Sequence, residues 1–304
     1  MSFRMTGLVA AVFTPMRADG SLNLDQAGPI VDQLIGEGIG DIFVCGSTGE
    51  WASLTTDERM KVAEAFIEAA KGRLPVVVHV GHNSLAEAHT LATHAQRIGV
   101  DAISAAPPSY FKPPSCEVLV ECLAHISAGA PELPFYYYNI PSVTGVDLDM
   151  LELLRLAADR ITAFAGIKYT AATIDEYQAL LGFEDGRFDI LHGRDEMLLA
   201  GLSVGATGAI GTTYNFAAPL YVRLLEAFDA GDLAKARRCQ ARSVDMIRIC
   251  RDYGGQTAFK AIMGLVGLDC GPNRLPQVSL ADDEKETLRG ELESIGFFQW
   301  ARPN

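Results

Sequence analysis

The chain is 304 residues long, 49% hydrophobic and 21% charged, with 38 acidic side chains against 25 basic ones and a formal net charge of -13. This apolar share supports a large core and excludes a disordered chain, while negative charge spread along the sequence opposes phosphate backbones, so nucleic acid is not an expected partner. No apolar run approaches the roughly 20 residues needed to cross a bilayer, and the six cysteines show no C-x-x-C pair and no zinc spacing. A cytoplasmic protein with free thiols, no membrane segment and no metal is the expectation.

Short apolar runs bounded by Gly, Pro or polar clusters recur along the chain. The first, LVAAVFTP from residue 8, follows Arg4 but runs straight into Thr14 and Pro15, which suits a first strand rather than a leader. IFVCGSTG from 42, VVVHVG from 76, AISAAPPS from 102, FYYYNIP from 135, FAGIKYT from 164, DILHGRD from 189 and GAIGTTYN from 208 complete eight candidate strands. Helical periodicity fills the intervals: in SLAEAHTLATHAQRIG from 84, Leu85, Ala88, Leu91, Ala92, Ala95 and Ile98 share one face. Thr55 with Glu58, Ser84 with Glu87 and Thr173 with Glu176 read as capping boxes.

Strict strand-helix alternation demands parallel strands, and eight units close an α/β (β/α)8 TIM barrel. An open doubly wound sheet is disfavoured, because the turn after the first strand, TPMRADGS, lacks G-x-G-x-x-G. Beyond Asn215 the chain continues as helix: PLYVRLLEAFDAG, a long segment from Leu233 to Tyr253, AFKAIMGLVG, and a last helix near Glu284 to Ile295. The expected organisation is a barrel domain over 1–230 and a C-terminal helical extension over 231–304.

Of the seven lysines, six fall in helical or loop contexts that suit a solvated ammonium. Lys168 lies inside FAGIKYT, where alternation puts Phe164, Gly166, Lys168 and Thr170 on one strand face and Ala165, Ile167 and Tyr169 on the other. Facing inward it would be a cation at the barrel mouth. Burial without a partner costs several kcal/mol and favours the neutral amine, a nucleophile toward carbonyls. Snorkelling from the strand end, or pairing with a carboxylate, is the structural alternative.

Tyr136 and Tyr138 share one parity on the preceding strand, and a phenol there can move protons in imine chemistry; core packing is the preferred reading for Tyr136 and Tyr137. Gly46-Ser47-Thr48-Gly49-Glu50 sets two glycines and two hydroxyls at a strand end, a turn suited to a carboxylate or phosphate. Asp195 and Glu196 can accept from a polyol or cap the helix that follows. His192 reads as structural.

Taken together, GSTGE at 46–50, YNIPSVTG at 138–145, GIKYT at 166–170 and GATGAIGTTYN at 205–215 resemble the dihydrodipicolinate synthase and N-acetylneuraminate lyase superfamily. The resemblance runs from about residue 5 to about 215 and implies a (β/α)8 barrel with a C-terminal helical domain, commonly a homotetramer. It also implies an imine between Lys168 and the 2-keto carbon of pyruvate or a pyruvate adduct, with no metal or organic cofactor.

Val143 stands where the synthases carry an arginine for their second substrate, which argues against that branch. PFYYYNIPSVTGV, HGRDE and GTTYN are similar to the lyase branch. By that resemblance Tyr138 transfers protons, Ser47 polarises the relay and with Thr48 holds the pyruvate carboxylate, and Ile210 lines the pyruvate pocket. Thr170, Gly193, Asp195, Glu196 and Thr212 would contact the sugar. The implied reaction is a carbon-carbon lyase step, the reversible cleavage of N-acetylneuraminate to N-acetylmannosamine and pyruvate. An aldolase or dehydratase for another 2-keto-3-deoxy sugar acid is the alternative, ahead of the synthase or a non-catalytic barrel. Two departures stand out. Phe111 replaces the tyrosine that many members extend into a neighbouring subunit, with Tyr110 one place earlier, and Thr212 replaces the lyases' usual serine.

Overall fold

The computed structural model describes residues 3–301; residues 1–2 and 302–304, the ends of the two expected units, lie outside it. Eight strands pair in parallel in chain order: β1 (Gly7–Ala11), β2 (Asp41–Val44), β3 (Val76–His79), β4 (Ala102–Ala105), β5 (Phe135–Asn139), β6 (Phe164–Tyr169), β7 (Asp189–His192) and β8 (Gly208–Gly211). Pairs from Gly7↔Gly208 to Ala10↔Gly211 return β8 to β1 and close the barrel. The crossovers are α1 (Ala27–Gly36), α2 (Thr56–Ala70), α3 (Leu85–Ile98), α4 (Cys116–Ser127), α5 (Met150–Arg160), α6 (Ile174–Gly182) and α7 (Leu198–Ser203), with α8 (Tyr214–Asp229) after β8. Then come α9 (Leu233–Asp252), α10 (Gln256–Leu265) and α11 (Asp282–Ser294). This is the TIM barrel with helices beyond it that the alternation demanded.

Strand residues of one parity fill the barrel, among them Val9, Phe43, Val77, Tyr136, Tyr138, Leu191 and Ile210. Those of the other parity, such as Ile42, Val76, Ile103, Tyr137, Ile167 and Ile190, pack against the helices. Both faces of every strand are therefore dry, which is why the runs are apolar throughout.

Three local expectations change. In β6 the register passes from Phe135↔Phe164 to Tyr136↔Gly166, so β6 holds one extra residue and its parity slips. Phe164 accordingly packs outward with the helix-facing core while Lys168 stays inside. Thr173 makes no side-chain cap, because Glu176 turns instead to the Tyr169 hydroxyl at 2.5 Å and the Met150 amide at 3.3 Å. The Thr55 box forms in full, and the Ser84 hydroxyl accepts from the Glu87 amide. Lys260, expected to be solvated, is 1% exposed and ion-paired to Glu50 at 2.6 Å.

At the closed end of the barrel, the Asp189 Oδ2 accepts from the Tyr136 hydroxyl and the Met5 amide, both at 2.9 Å. Asp41 is also buried there, and desolvation, then the charges of Asp101 and Asp189, push its carboxyl up to about 7. The folded chain thus keeps a proton that the unfolded carboxyl releases near 3.8. Asp41 therefore weakens the fold as pH rises from about 4 to about 7, the opposite of an ion-paired carboxylate. Asp41→Asn is expected to raise the Tm by several degrees at pH 8 and to change it little at pH 4. Thermal unfolding across that range checks this, and a pH-independent difference would refute it.

Candidate active site

A cavity of about 480 Å³ opens at the C-terminal ends of the strands, the end at which TIM barrels carry their chemistry. Lys168 stands in β6 directly across from Tyr138 in β5 and is 4% exposed. Its Nζ lies 4.0 Å from the Tyr138 ring centroid and 4.3 Å from that of Phe43. Among the described residues no hydrogen bond or ion pair engages that nitrogen. Two aromatic faces are thus its neighbours, and they offset only part of the cost of burying a cation.

Tyr138 is held by rings on two sides, edge-to-face with Phe43 at 5.8 Å and with His79 at 5.9 Å. Its hydroxyl lies 3.3 Å from the Ser47 Oγ. His79 is fully buried, and desolvation, then Arg59 and Lys168, hold its imidazole well below its ordinary range, so it sits there neutral. Beside this pair runs the turn after β2. A Cβ at Gly46 would meet the Phe43 ring at 2.7 Å, and one at Gly49 would crowd the Val12 carbonyl and the Thr14 hydroxyl at 3.2 Å. The glycines thus let the turn close on the barrel. The Ser47 and Thr48 amides donate to no acceptor among the described residues, and the Thr48 and Thr212 hydroxyls share a bond of 2.6 Å.

The far wall comes from β6, β7 and β8. The Thr170 hydroxyl donates to the Asn139 carbonyl at 2.7 Å, and a Cβ at Gly193 would press on the Thr170 methyl at 2.4 Å. Asp195 is buried and does not cap a helix: its Oδ2 accepts from the Thr213 amide at 2.8 Å and hydroxyl at 2.6 Å. Desolvation outweighs those donors and pushes its carboxyl up to about 6. Glu196 is bracketed by Arg194 at 3.1 Å and Arg251 at 2.9 Å. Ile210 closes the cavity from the barrel interior.

Lys168, Tyr138, Ser47, Thr48, Thr170, Gly193, Asp195, Glu196, Ile210 and Thr212 all line this one cavity. Val143 is at its mouth, 71% exposed. Phe111 is not in the lining; it stacks edge-to-face on Tyr110 at 4.9 Å, and both rings are exposed. His192 is buried against Tyr177, as a structural residue would be. Arg194, Arg251, Gln256 and Gln277 also reach the cavity and were not picked out from the sequence. Arg194 had a signal in its place between Gly193 and Asp195; the others come from distant segments whose proximity is purely tertiary. Among the described residues no group of three or more His, Cys, Asp or Glu is placed to hold a metal ion.

A buried strand lysine, a facing tyrosine and a turn of free amides at the top of a (β/α)8 barrel make up the arrangement of a Schiff-base aldolase. The model of the dihydrodipicolinate synthetase family matches residues 4–295, and the chain belongs to that family. It is 40% identical over 302 residues to the N-acetylneuraminate lyase of Rattus norvegicus, covering 98% of this chain and 94% of that one. It is 41% identical over 280 residues to N-acetylneuraminate lyase A of Xenopus laevis, covering 91% and 92%. Among solved structures, the Proteus mirabilis N-acetylneuraminate lyase superposes with a TM-score of 0.94 at 37% identity, covering 97% of this chain and 100% of the other. A Bacillus anthracis dihydrodipicolinate synthase gives 0.90 at 26% identity, covering 96% and 99%.

The Asp195–Thr213 contact yields a test of how the far wall is held. Thr213→Val takes one donor from a buried carboxylate and is expected to cost about 1–3 kcal/mol of stability, read from urea unfolding near pH 7. A loss below a few tenths would show that the hydroxyl is dispensable there.

Proposed function

We propose that the chain is a class I aldolase that cleaves N-acetylneuraminate reversibly to N-acetylmannosamine and pyruvate through an imine on Lys168. The unpaired, buried Nζ of Lys168 beside Tyr138 carries this reading, and the lyase names of relatives near 40% identity supply the substrate. Val143 in place of a carboxylate-binding arginine speaks against the synthase branch.

The neutral amine of Lys168 adds to C2 of the open-chain keto acid, and the carbinolamine loses water as Tyr138 protonates the departing hydroxide. The Tyr138 oxygen then takes the proton of the C4 hydroxyl. The C3–C4 bond breaks, its electron pair moves into the iminium, and aldehyde and enamine result. Tyr138 returns the proton to C3, and water adds to the iminium to free pyruvate and the amine, its proton passing back to the Tyr138 oxygen. The Ser47 hydroxyl supports the phenolate stage, and the free amides of Ser47 and Thr48 seat the carboxylate so that C2 faces Lys168. Asp195 Oδ1, Glu196, Thr170 and Thr212 are the polar groups left for the sugar, with Gly193 giving it room and Ile210 backing the pyruvate methyl.

We further place the protein in the cytoplasm, consistent with six unpaired cysteines, five of them buried. Among the described residues no helix is long and apolar enough to cross a membrane. A homotetramer is proposed from the family resemblance, with the exposed Tyr110–Phe111 pair as a surface suited to a second copy. The division into a barrel over 1–230 and a helical extension over 231–304 is part of the same proposal.

Pyruvate with borohydride is expected to leave a reduced pyruvyl adduct on Lys168, and a wild-type digest without it would sink the imine. Lys168→Met abolishes adduct and turnover. Tyr138→Phe lowers kcat by about 10²–10⁴-fold while the adduct still forms. Pyruvate release from N-acetylneuraminate, run beside 2-keto-3-deoxygluconate, checks the aldehyde: turnover of the second alone would overturn the substrate.

A further inference from the structure

We infer that Gln256, Lys260 and the segment around Arg274 are positioning residues for the carboxylate seat, so that the C-terminal helices complete the active site of the barrel. The inference rests on the imine reading of Lys168, because that reading makes the Ser47 and Thr48 amides the seat.

In a trans peptide the N–H points away from the carbonyl of the same unit. The Ser47 carbonyl, in the unit that carries the Thr48 N–H, accepts from the Glu50 amide at 3.0 Å. The Gly46 carbonyl, in the unit that carries the Ser47 N–H, accepts from the Trp51 amide at 3.3 Å. The direction of both free donors is therefore set by where the backbone at Glu50 and Trp51 is held. Glu50 adopts φ 56°, a left-handed conformation that a non-glycine residue keeps only where its surroundings impose it.

Those surroundings are the residues beyond the barrel. The Glu50 side chain is 0% exposed and its Oε1 accepts from the Lys260 Nζ at 2.6 Å, while its Oε2 accepts from the Arg274 amide at 2.9 Å. Lys260 Nζ also donates to the Pro272 carbonyl at 2.8 Å. Four residues earlier on α10, the Gln256 Nε2 donates to the Thr48 carbonyl at 3.0 Å. One helix thus grips the turn at two points. A buried ion pair with further hydrogen bonds contributes more to geometry than to net stability, and here the geometry it holds is that of two donors aimed at a substrate.

The test uses the full-length protein and pyruvate alone, so the identity of the aldehyde does not enter. The readout is the pyruvate concentration giving half-maximal borohydride trapping at Lys168, measured by mass spectrometry beside the Tm. The double variant Lys260→Met/Glu50→Gln, which removes both charges and keeps the bulk, is expected to raise that concentration about 10-fold or more, and Gln256→Ala to raise it in the same direction. Tyr253→Phe loses a bond to Glu291 in the same extension without touching the turn and is expected to leave it unchanged. A lowered Tm with an unshifted half-saturation in both test variants would overturn the inference, as would an equal shift in Tyr253→Phe. If the double variant does not fold, Gln256→Ala decides. A wild-type chain that forms no adduct would fell the imine reading and this inference with it; an adduct whose half-saturation no variant moves fells this inference alone.

Discussion

The chain buries two lysines and treats them in opposite ways. Lys260 meets a buried carboxylate and a backbone carbonyl, so its charge is paired and two of its protons are bonded. Lys168 meets two aromatic faces and, among the described residues, no ion-pair partner. Burial of an ammonium is costly in both places, and the fold removes the cost only at Lys260. What is left at Lys168 is a buried nitrogen with no hydrogen-bond or ion-pair partner among the described residues, at the point where the proposed imine would form. The carboxylates that share its cavity have other partners: Asp195 accepts from Thr213, and Glu196 is bracketed by two arginines.

The barrel makes that isolation possible because position along a strand sets depth. Inward residues of β5 step from Tyr136, bonded to Asp189 near the closed end, to Tyr138 beside Lys168 at the mouth. Asp41 and Asp189 thus lie at the closed end, while the Lys168 amine shares the mouth with Asp195 and Glu196. The slip in β6 matters here, since Gly166 lets β6 and β7 approach so closely that a Cβ would fall 1.8 Å from the Asp189 carbonyl oxygen. Lys168 gains its inward direction two residues after that irregularity.

Features determined within one strand and the turn that ends it were legible in the sequence. Each of the eight runs became a strand because burial on both faces leaves a short apolar stretch with Gly or Pro at its ends. The parity of Tyr138 and Lys168 and the glycines around Ser47 and Thr48 are local in the same sense. Phe164 misled because a bulge is a property of the pair of strands, and neither strand shows it alone. Thr173 misled because Glu176 found a buried hydroxyl on Tyr169 to serve, a tertiary partner that outcompeted the local cap. Lys260 sits on a helix whose pattern permits either exposure or burial, and its partner lies 210 residues away. Arg251 and Gln256 enter the cavity by the same kind of long return.

The two ends of the cavity are therefore built differently. The amine and the phenol stand on adjacent strands, so the backbone ladder itself spaces them, and the turn of free amides that ends β2 is held against them from beyond the barrel. The end proposed to take the sugar is assembled from β6, β7, β8 and the helix α9, through contacts such as Glu196 with Arg251 that join segments far apart in the chain. Asp195 shows the division within one side chain: Oδ2 binds the fold together through Thr213, while Oδ1 takes no bond among the described residues and stays open to a ligand. Substitutions in the helices can reshape the sugar end without moving Lys168 relative to Tyr138. They reach the carboxylate seat through α10 and the segment around Arg274, which together hold the turn carrying Ser47 and Thr48.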